Sequence, residues 1–176
     1  MGAGAMGEAI IAGLINSGTA PSSISVLEKR SERSDEICVQ YGVRKLSAIA
    51  EVSGFAAIFL IVKPQDLAAS VAEISDHITT ETVLISLAAG KKIAGIESGL
   101  QGKKIPVIRV MPNTATMVGA GMAAISLGAG VTEAQREFVS GFLAKSGQVV
   151  EVAEELQDAV TATSGSGPAY FFAFTE

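Results

Sequence analysis

The sequence predicts an α/β fold with a doubly wound, mostly parallel sheet, followed by the start of an all-helical second domain. A glycine-rich stretch, Gly2 to Gly7, leads directly into an amphipathic segment. Short apolar runs then alternate with helical segments of about ten residues, which is typical of parallel sheets. Hydrophobic residues make up 48% of the 176-residue chain and charged residues only 18%. This balance indicates strands buried on both faces.

The glycine-rich stretch has the spacing G-x-G-x-x-G at the start of a helix. The first glycine allows a tight turn, the second lets a pyrophosphate approach the backbone, and the third lets the helix pack closely. The pattern therefore predicts a Rossmann-type dinucleotide site, although glycine-rich turns before helices are common. Such a site normally follows a buried strand, yet only Met1 precedes Gly2. We therefore expect the first strand of the sheet to be missing from this sequence.

Apolar periodicity and glycine or proline punctuation assign the remaining elements. We expect Gly18 and Gly42 to end the first two helices, and Ser31, Ser47 and Thr132 to cap helices. The predicted helices cover residues 8–16, 31–41, 65–74, 93–100, 133–145 and 154–163. The predicted strands cover residues 25–27, 43–46, 56–62, 82–87, 106–110, 122–127 and 148–152.

The residues after the first predicted strand bear on the choice of cofactor. An acidic residue about 20 positions beyond the glycines binds the ribose 2′-hydroxyl of NAD, whereas basic and hydroxyl groups accommodate a 2′-phosphate. Glu28 favours NAD, while Lys29, Arg30 and Ser31 favour NADP. A solvated turn is the other interpretation of Lys29 and Arg30, so these residues leave the preference open.

Other candidate ligand contacts follow the buried strands, because ligands of open α/β sheets lie beyond the carboxyl ends of the strands. The run over 56–62 leads to Lys63 and Pro64, and the strand over 106–110 leads to Pro112 and Asn113. A surface lysine and an ordinary turn asparagine remain the alternatives. The small residues Ala88 and Ala89 follow the strand between these two, where they would let a flat ring approach the backbone.

Charge and composition argue against several classes of partner. The net charge is −5 without a block of like charges, so we expect neither a nucleic acid nor a membrane partner. One cysteine, Cys38, and one histidine, His77, do not suffice for a cysteine-rich or histidine-rich metal site. With no apolar run of membrane-spanning length and no signal-peptide pattern, we expect a cytoplasmic protein. No residue of the sequence stands out as catalytic.

Four segments together resemble the pyrroline-5-carboxylate reductases, and the resemblance extends over essentially the whole chain. They are the glycine-rich start 2–9, Val-Lys-Pro-Gln at 62–65, Arg-Val-Met-Pro-Asn-Thr at 109–114, and residues 158–170 with their Ser-Gly-Ser-Gly-Pro core. The resemblance implies reduction of the cyclic imine 1-pyrroline-5-carboxylate to proline with NADPH, or with NADH as the alternative.

The resemblance also implies the positions of the cofactor contacts. The pyrophosphate would lie at the glycine-rich stretch, the adenine-ribose end near Glu28, and the remaining contacts at the strand ends. The complete set is Gly2, Ala3, Gly4, Ala5, Met6, Gly7, Glu28, Lys29, Arg30, Ser31, Ile61, Val62, Lys63, Pro64, Ala88, Ala89, Pro112 and Asn113.

The domain organisation implied by the resemblance is a dinucleotide-binding domain over 1–152 and the beginning of a helical dimerisation and substrate domain over 153–176. In the family a Ser-Pro-Gly-Gly-Thr-Thr-like loop of that helical domain carries much of the substrate site, and the domain builds a homodimer. This loop is absent from the sequence. We therefore expect a fragment with impaired activity.

Two other functions remain open. One is a non-catalytic NAD(P)-binding module that senses the redox state of the cofactor pool. The other is a two-domain NADP-dependent dehydrogenase of the hydroxyacid type. Such enzymes usually need a lysine or similar acid/base on the interdomain helix, and residues 154–163 contain no lysine, which counts against this alternative.

Overall fold

The computed structural model describes residues 1–176, apart from the side chain of Met117. Its strands are β1 (Ser25–Val26), β2 (Arg44–Lys45), β3 (Ala57–Leu60), β4 (Val83–Ser86), β5 (Val107–Met111), β6 (Gly121–Leu127) and β7 (Gly147–Glu151). Its α-helices are α1 (Ala5–Asn16), α2 (Ser31–Tyr41), α3 (Leu67–Ser75), α4 (Ile93–Ser98), α5 (Glu133–Leu143), α6 (Gln157–Val160) and α7 (Gly167–Thr175).

The strands form a five-stranded sheet of order β3-β4-β5-β6-β7 and a separate two-stranded pair, β1-β2. Strands β3, β4 and β5 are parallel, β6 is antiparallel to β5, and β7 is parallel to β6. The β1-β2 pair is also parallel. The predicted mostly parallel α/β sheet is therefore confirmed.

Helices cover both faces of the sheet, as a doubly wound fold requires. All residues of β4 are buried, and Ile85 packs into one core with Ile10 of α1 and Phe142 of α5. Leu84 points to the opposite face and packs with Val71 of α3. Because successive strand residues point to opposite faces, a strand between two helical layers reads as a continuous apolar run.

Met1 and Gly2 occupy the end of the position where the first strand of the sheet is expected. The Met1 ammonium group donates to the Phe59 carbonyl (2.7 Å), and the Ile61 N–H donates to the Met1 carbonyl (2.9 Å). On the other side, the Gly2 N–H donates to the Leu27 carbonyl (2.9 Å). These two residues thus bridge β1 and β3 at one end only, which explains why the sheet divides there.

The observed helix boundaries agree better with the glycines predicted to end helices than with the serines predicted to cap them. Gly42 ends α2 in the left-handed conformation, and Thr132 caps α5 by accepting from the Gln135 N–H (3.3 Å), as predicted. The predicted cap at Ser31 is wrong, since Arg30 holds the N-cap position of α2. Ser47 also fails as a cap, because the 3-10 turn after it starts from Ala48.

Residues after β7 form several consecutive helical turns rather than the single predicted helix over 154–163. A 3-10 turn (Glu154–Leu156), α6, a π-helical turn (Thr161–Gly165) and α7 follow one another. Pro168 lies in the first turn of α7, where its missing N–H would have no helical partner. Only Ser166 separates the π-helical turn from α7.

Across the described residues, every helix is too short or too polar to cross a lipid bilayer.

Candidate nucleotide site

The three glycines of the G-x-G-x-x-G loop meet three different steric conditions. Gly2 has φ +89°, and a Cβ there would lie 2.3 Å from the Ile61 carbonyl oxygen. At Gly7 a Cβ would lie 2.4 Å from the Gly2 carbonyl oxygen, so glycine allows α1 to start against the loop. A Cβ on Gly4 would meet nothing within 4 Å. The loop is therefore closely packed at both ends and open in the middle.

The open middle of the loop coincides with the start of α1. Gly4 is the N-cap residue, and as a glycine it has no side chain that could cap the helix. The first N–H groups of a helix lack intrahelical partners and carry the positive end of the helix dipole. This arrangement suits an anionic phosphate.

Glu28 supports the loop from the end of β1. One carboxylate oxygen accepts from the Ala3 N–H (2.7 Å), and the other accepts from the backbone N–H (3.1 Å) and Nε (3.3 Å) of Arg30. The side chain is only 10% exposed. Burial opposes its ionisation, but the hydrogen bonds from Ala3 and Arg30 prevail, so the pKa of Glu28 lies below its ordinary value.

Arg33 supports the loop from α2 and is a residue that the sequence patterns did not identify. Its Nε donates to the Ala3 carbonyl (2.9 Å), and its guanidinium group also binds the Glu8 carboxylate. Tyr41 donates to the same carboxylate (2.9 Å). The hydrogen bond from Arg33 and then that from Tyr41 lower the pKa of Glu8. A contact between residues 25 positions apart leaves no local signal that sequence reasoning could use.

Basic and hydroxyl groups surround the exposed side of Glu28. Lys29, Arg30 and Ser31 are exposed, and the Arg30 guanidinium group reaches Glu28 from solvent. The Ser31 hydroxyl accepts from Nζ of Lys45 (2.9 Å) on the adjacent β2. The structure thus places a carboxylate beneath a rim of cationic groups, which accounts for the mixed cofactor signal of the sequence.

The predicted residues at the strand ends share one edge of the sheet. The pairing of Leu60 with Ser86, and of Ser86 with Arg109, aligns the carboxyl ends of β3, β4 and β5. This alignment brings three groups of predicted residues to the edge that also carries the glycine loop: Ile61, Val62, Lys63 and Pro64 after β3, Ala88 and Ala89 after β4, and Pro112 and Asn113 after β5. Lys63 is exposed, whereas Ala88 and Pro112 are buried.

Asn113 differs from the other strand-end residues because its amide already has protein partners. Its Oδ1 accepts from the Met122 N–H (3.1 Å), and its Nδ2 donates to the Ser164 hydroxyl (3.3 Å). The side chain therefore joins the end of β5 to β6 and to the π-helical turn. Its contact with a cofactor stays a prediction.

An ion-pair cluster centred on the buried Arg109 joins β5 to the helical segment near the chain end. Arg109, with 3% of its side chain exposed, donates to Glu154 (3.4 Å) and Asp158 (3.3 Å). Glu154 also accepts from the Ile93 N–H at the start of α4 (2.6 Å). The sequence marks Arg109 only as part of a motif, because its partners lie more than 40 positions away.

The described residues thus combine the first N–H groups of α1, the cationic rim beside Glu28 and the small residues after β4; that together they bind a dinucleotide stays a prediction. Positioning and electrostatics are what this arrangement offers to a reaction, since the chemistry of hydride transfer belongs to the cofactor.

The chain is similar to several known proteins. Residues 1–90 match the family model described as "NADP oxidoreductase coenzyme F420-dependent". Pyrroline-5-carboxylate reductase of Corynebacterium melassecola is 39% identical over 180 residues, and the alignment covers all of this chain and 66% of that protein.

Two solved structures show the same architecture. A pyrroline-5-carboxylate reductase from Coxiella burnetii superposes with a TM-score of 0.91 at 31% identity, covering 98% of this chain and 65% of that one. The Plasmodium falciparum pyrroline carboxylate reductase, solved with NADP bound, gives a TM-score of 0.82 at 26% identity, covering 99% and 64%. The chain thus spans a little under two thirds of the length of these proteins.

Proposed function

Since the chain belongs to the family of coenzyme F420-dependent NADP oxidoreductases and is similar throughout to the pyrroline-5-carboxylate reductases, we propose that it binds NADPH and serves the reduction of 1-pyrroline-5-carboxylate to proline. The family predicted from the sequence motifs is confirmed by these comparisons. Activity, substrate and assembly of the complete protein remain part of the proposal.

The open position of Gly4 is the observation that carries the proposal. A phosphate accepting hydrogen bonds from the first turn of α1 must approach the backbone more closely than a side chain would allow. Gly4 leaves this approach clear, whereas Gly2 and Gly7 serve the packing of the loop itself. Other glycines, such as Gly141, are equally free sterically, but Gly4 lies at the N-terminus of α1, where a phosphate would bind.

NADPH is the preferred cofactor in this proposal, with NADH as the alternative. The Glu28 carboxylate is engaged by the Ala3 N–H and by Arg30, so it is less available to a ribose hydroxyl than a free carboxylate would be. Arg30, Ser31 and Lys29 are exposed around it and can meet a 2′-phosphate. The negative charge of Glu28 still opposes that phosphate, which leaves room for NADH.

In the proposed reaction the bound nicotinamide would supply a hydride from C4 to the carbon of the protonated cyclic imine, whose nitrogen keeps its proton in the product. The chain's part is to hold the dinucleotide at the loop and along the ends of β3, β4 and β5. Small residues such as Ala88 and Ala89 would let a flat ring lie against the backbone. No general base is required, because the protonated imine is already electrophilic.

We assign residues 153–176 in the proposal to the start of a helical domain that completes the substrate site and forms a homo-oligomer. Tyr170, Phe171, Phe172 and Phe174 on α7 are all more than half exposed, which is unusual for aromatic residues of one helix. Arg109 and Asn113 would hold this domain in register with the sheet. The single Cys38 fits a reducing cytoplasm, where we propose that the protein works.

Two measurements on the 176-residue chain test the proposal separately. Titration with NADPH and NADH reports cofactor binding, and imine-dependent oxidation of NADPH reports catalysis. We expect saturable binding, with turnover absent or far below ordinary enzyme rates of about 1–1,000 per second. A longer protein that also carries the helical domain should restore turnover. Cofactor binding without imine reduction in that longer protein would favour a redox-sensing module, and absence of cofactor binding would refute the proposal.

A further inference from the structure

Lys45 on β2 adds a cation to the rim around Glu28, although it is separated from Ser31 by 14 positions in the sequence. The strand β2 pairs in parallel with β1, and this register sets Lys45 opposite Val26. Val26 closely precedes Glu28 in the chain, so Lys45 lies at the carboxyl end of β1. It therefore occupies the edge of the sheet where the ribose of a dinucleotide is expected.

The side chain of Lys45 turns toward α2. Its Nζ donates to the Ser31 hydroxyl (2.9 Å) and to the Asp35 carboxylate (2.7 Å), and both of these residues belong to α2. The neighbouring Arg44 points to the other face of the strand, where its guanidinium carbon lies 5.9 Å from the centre of the Phe55 ring. Because successive strand residues point to opposite faces, Lys45 is the one of these two cations that reaches the start of α2.

A ligand can replace Asp35 as the partner of Lys45. The Lys45 side chain is 35% exposed and that of Asp35 is 61% exposed. Exposed ion pairs contribute little to stability, because both charges keep much of their hydration. A phosphate group offers a stronger partner, since charge-assisted hydrogen bonds to phosphate oxygens are short and strong. Lys45 can therefore pass from Asp35 to a phosphate with little loss.

The hydrogen bond from Lys45 also orients the Ser31 hydroxyl. A serine hydroxyl has one proton to donate and two lone pairs that accept. Because the oxygen accepts from Nζ of Lys45, the proton points away from the ammonium group and is available to an acceptor on the exposed side of Ser31. A 2′-phosphate there would accept from both residues. A ribose 2′-hydroxyl has no charge to attract the ammonium group.

We propose that Lys45 is a specificity-determining residue that binds the 2′-phosphate of NADPH together with Ser31, and that Asp35 limits this selectivity by competing for the ammonium group. The inference rests on the proposed binding of the dinucleotide and adds the residues that choose between the two cofactors. The charge of Lys45 offsets that of Glu28, which accounts for a preference for NADPH despite a carboxylate beside the ribose position.

Paired titrations of the 176-residue chain with NADPH and NADH test the assignment, because the two cofactors differ only in the 2′-phosphate. The ionic strength is held constant. Lys45→Met removes the charge and keeps the apolar stem, so the Kd for NADPH should rise roughly tenfold while that for NADH changes less than about twofold. Lys45→Arg keeps the charge and should retain most of the NADPH affinity. Asp35→Asn frees the ammonium group and should lower the Kd for NADPH about two- to threefold.

Arg44→Met is the matched control, since it removes the same charge from the adjacent position of β2 on the opposite face. The ratio of its two Kd values should stay within about twofold of the parent ratio. If Lys45 served only to tie β2 to α2, Lys45→Met would weaken the binding of both cofactors alike.

The outcomes separate this inference from the proposed function. With a parent chain that binds the cofactors, an unchanged ratio in Lys45→Met, equal weakening of both cofactors, or the same shift in Arg44→Met would overturn the role of Lys45 alone. If Lys45→Met does not fold, Asp35→Asn decides, because an NADPH affinity that stays equal or falls would contradict competition for the ammonium group. A parent chain that binds neither cofactor would refute the proposed function and this inference with it.

Discussion

Replacing Gly4 with alanine separates the fold from the proposed ligand. A Cβ at Gly4 would meet no atom within 4 Å, and the backbone there (φ −64°, ψ −172°) is extended and accessible to any L-residue. Alanine restricts the unfolded chain, which stabilises a protein by about 0.4–1 kcal/mol, but is a poorer N-cap than glycine by a similar amount. We therefore expect the free energy of unfolding of Gly4→Ala to stay within about 1 kcal/mol of the parent value.

Cofactor affinity should respond very differently to this substitution. The added methyl group occupies the space through which a phosphate reaches the N–H groups of α1. Losing one charge-assisted hydrogen bond costs about 1.5–3 kcal/mol, which corresponds to a roughly 10- to 100-fold increase in the Kd for NADPH. Urea unfolding and NADPH titration of the same preparation measure the two effects side by side.

Two other glycines provide controls for Gly4→Ala. At Gly7 a Cβ would lie 2.4 Å from the Gly2 carbonyl oxygen, so Gly7→Ala should destabilise the fold by about 1–3 kcal/mol. Gly141 is exposed in α5, and a Cβ there meets nothing within 4 Å, so Gly141→Ala should leave affinity unchanged. Unaltered NADPH affinity in a folded Gly4→Ala chain would refute the assignment of the loop to the pyrophosphate.

Three further results are expected. Glu28→Gln removes a negative charge beside the cationic rim, so the affinity for NADPH relative to NADH should rise several-fold in paired titrations. A fall in this relative affinity would contradict the role of Glu28 in opposing a 2′-phosphate. Glu154→Gln should cost about 1–3 kcal/mol in urea unfolding, because it leaves the buried Arg109 guanidinium group less compensated. Asp158→Asn should lower the free energy of unfolding by less than about 1 kcal/mol, because the Asp158 side chain is 71% exposed. Equal losses of stability in the Glu154 and Asp158 variants would contradict the dependence of this effect on burial. Finally, the Met1 amine has its pKa lowered from 8.0 to about 6, so the unfolded chain binds more protons than the folded chain between these values. The stability of the 176-residue chain should therefore rise by about 2 kcal/mol from pH 6 to pH 8, and acetylation of the amine should abolish that rise.

Local signals sufficed for much of the fold. Gly42 ends α2 because it adopts a positive φ of 67°, and the apolar run at β4 is buried on both faces as its composition predicts. Gly2 and Gly7 also follow the steric roles that their spacing implies. In each case one residue's own conformational or burial preference decides the outcome.

Long-range partners were beyond the reach of sequence reasoning. Arg33 supports the glycine loop from another helix, and Asn113 is joined to Ser164 across 51 positions. Ser31 does not cap α2, and its hydroxyl instead bonds to Lys45 on a neighbouring strand. These pairings arise only when the strands assemble, so no spacing or periodicity in the sequence encodes them.

Mapping NADPH onto the backbone amides of the chain by ¹⁵N NMR would test the central claim most directly. We predict that the largest shift changes fall on the N–H groups of Gly4, Ala5, Met6 and Gly7, with smaller changes at Arg30 and Lys63. Saturable NADPH binding whose shift changes leave those loop amides untouched would contradict the account.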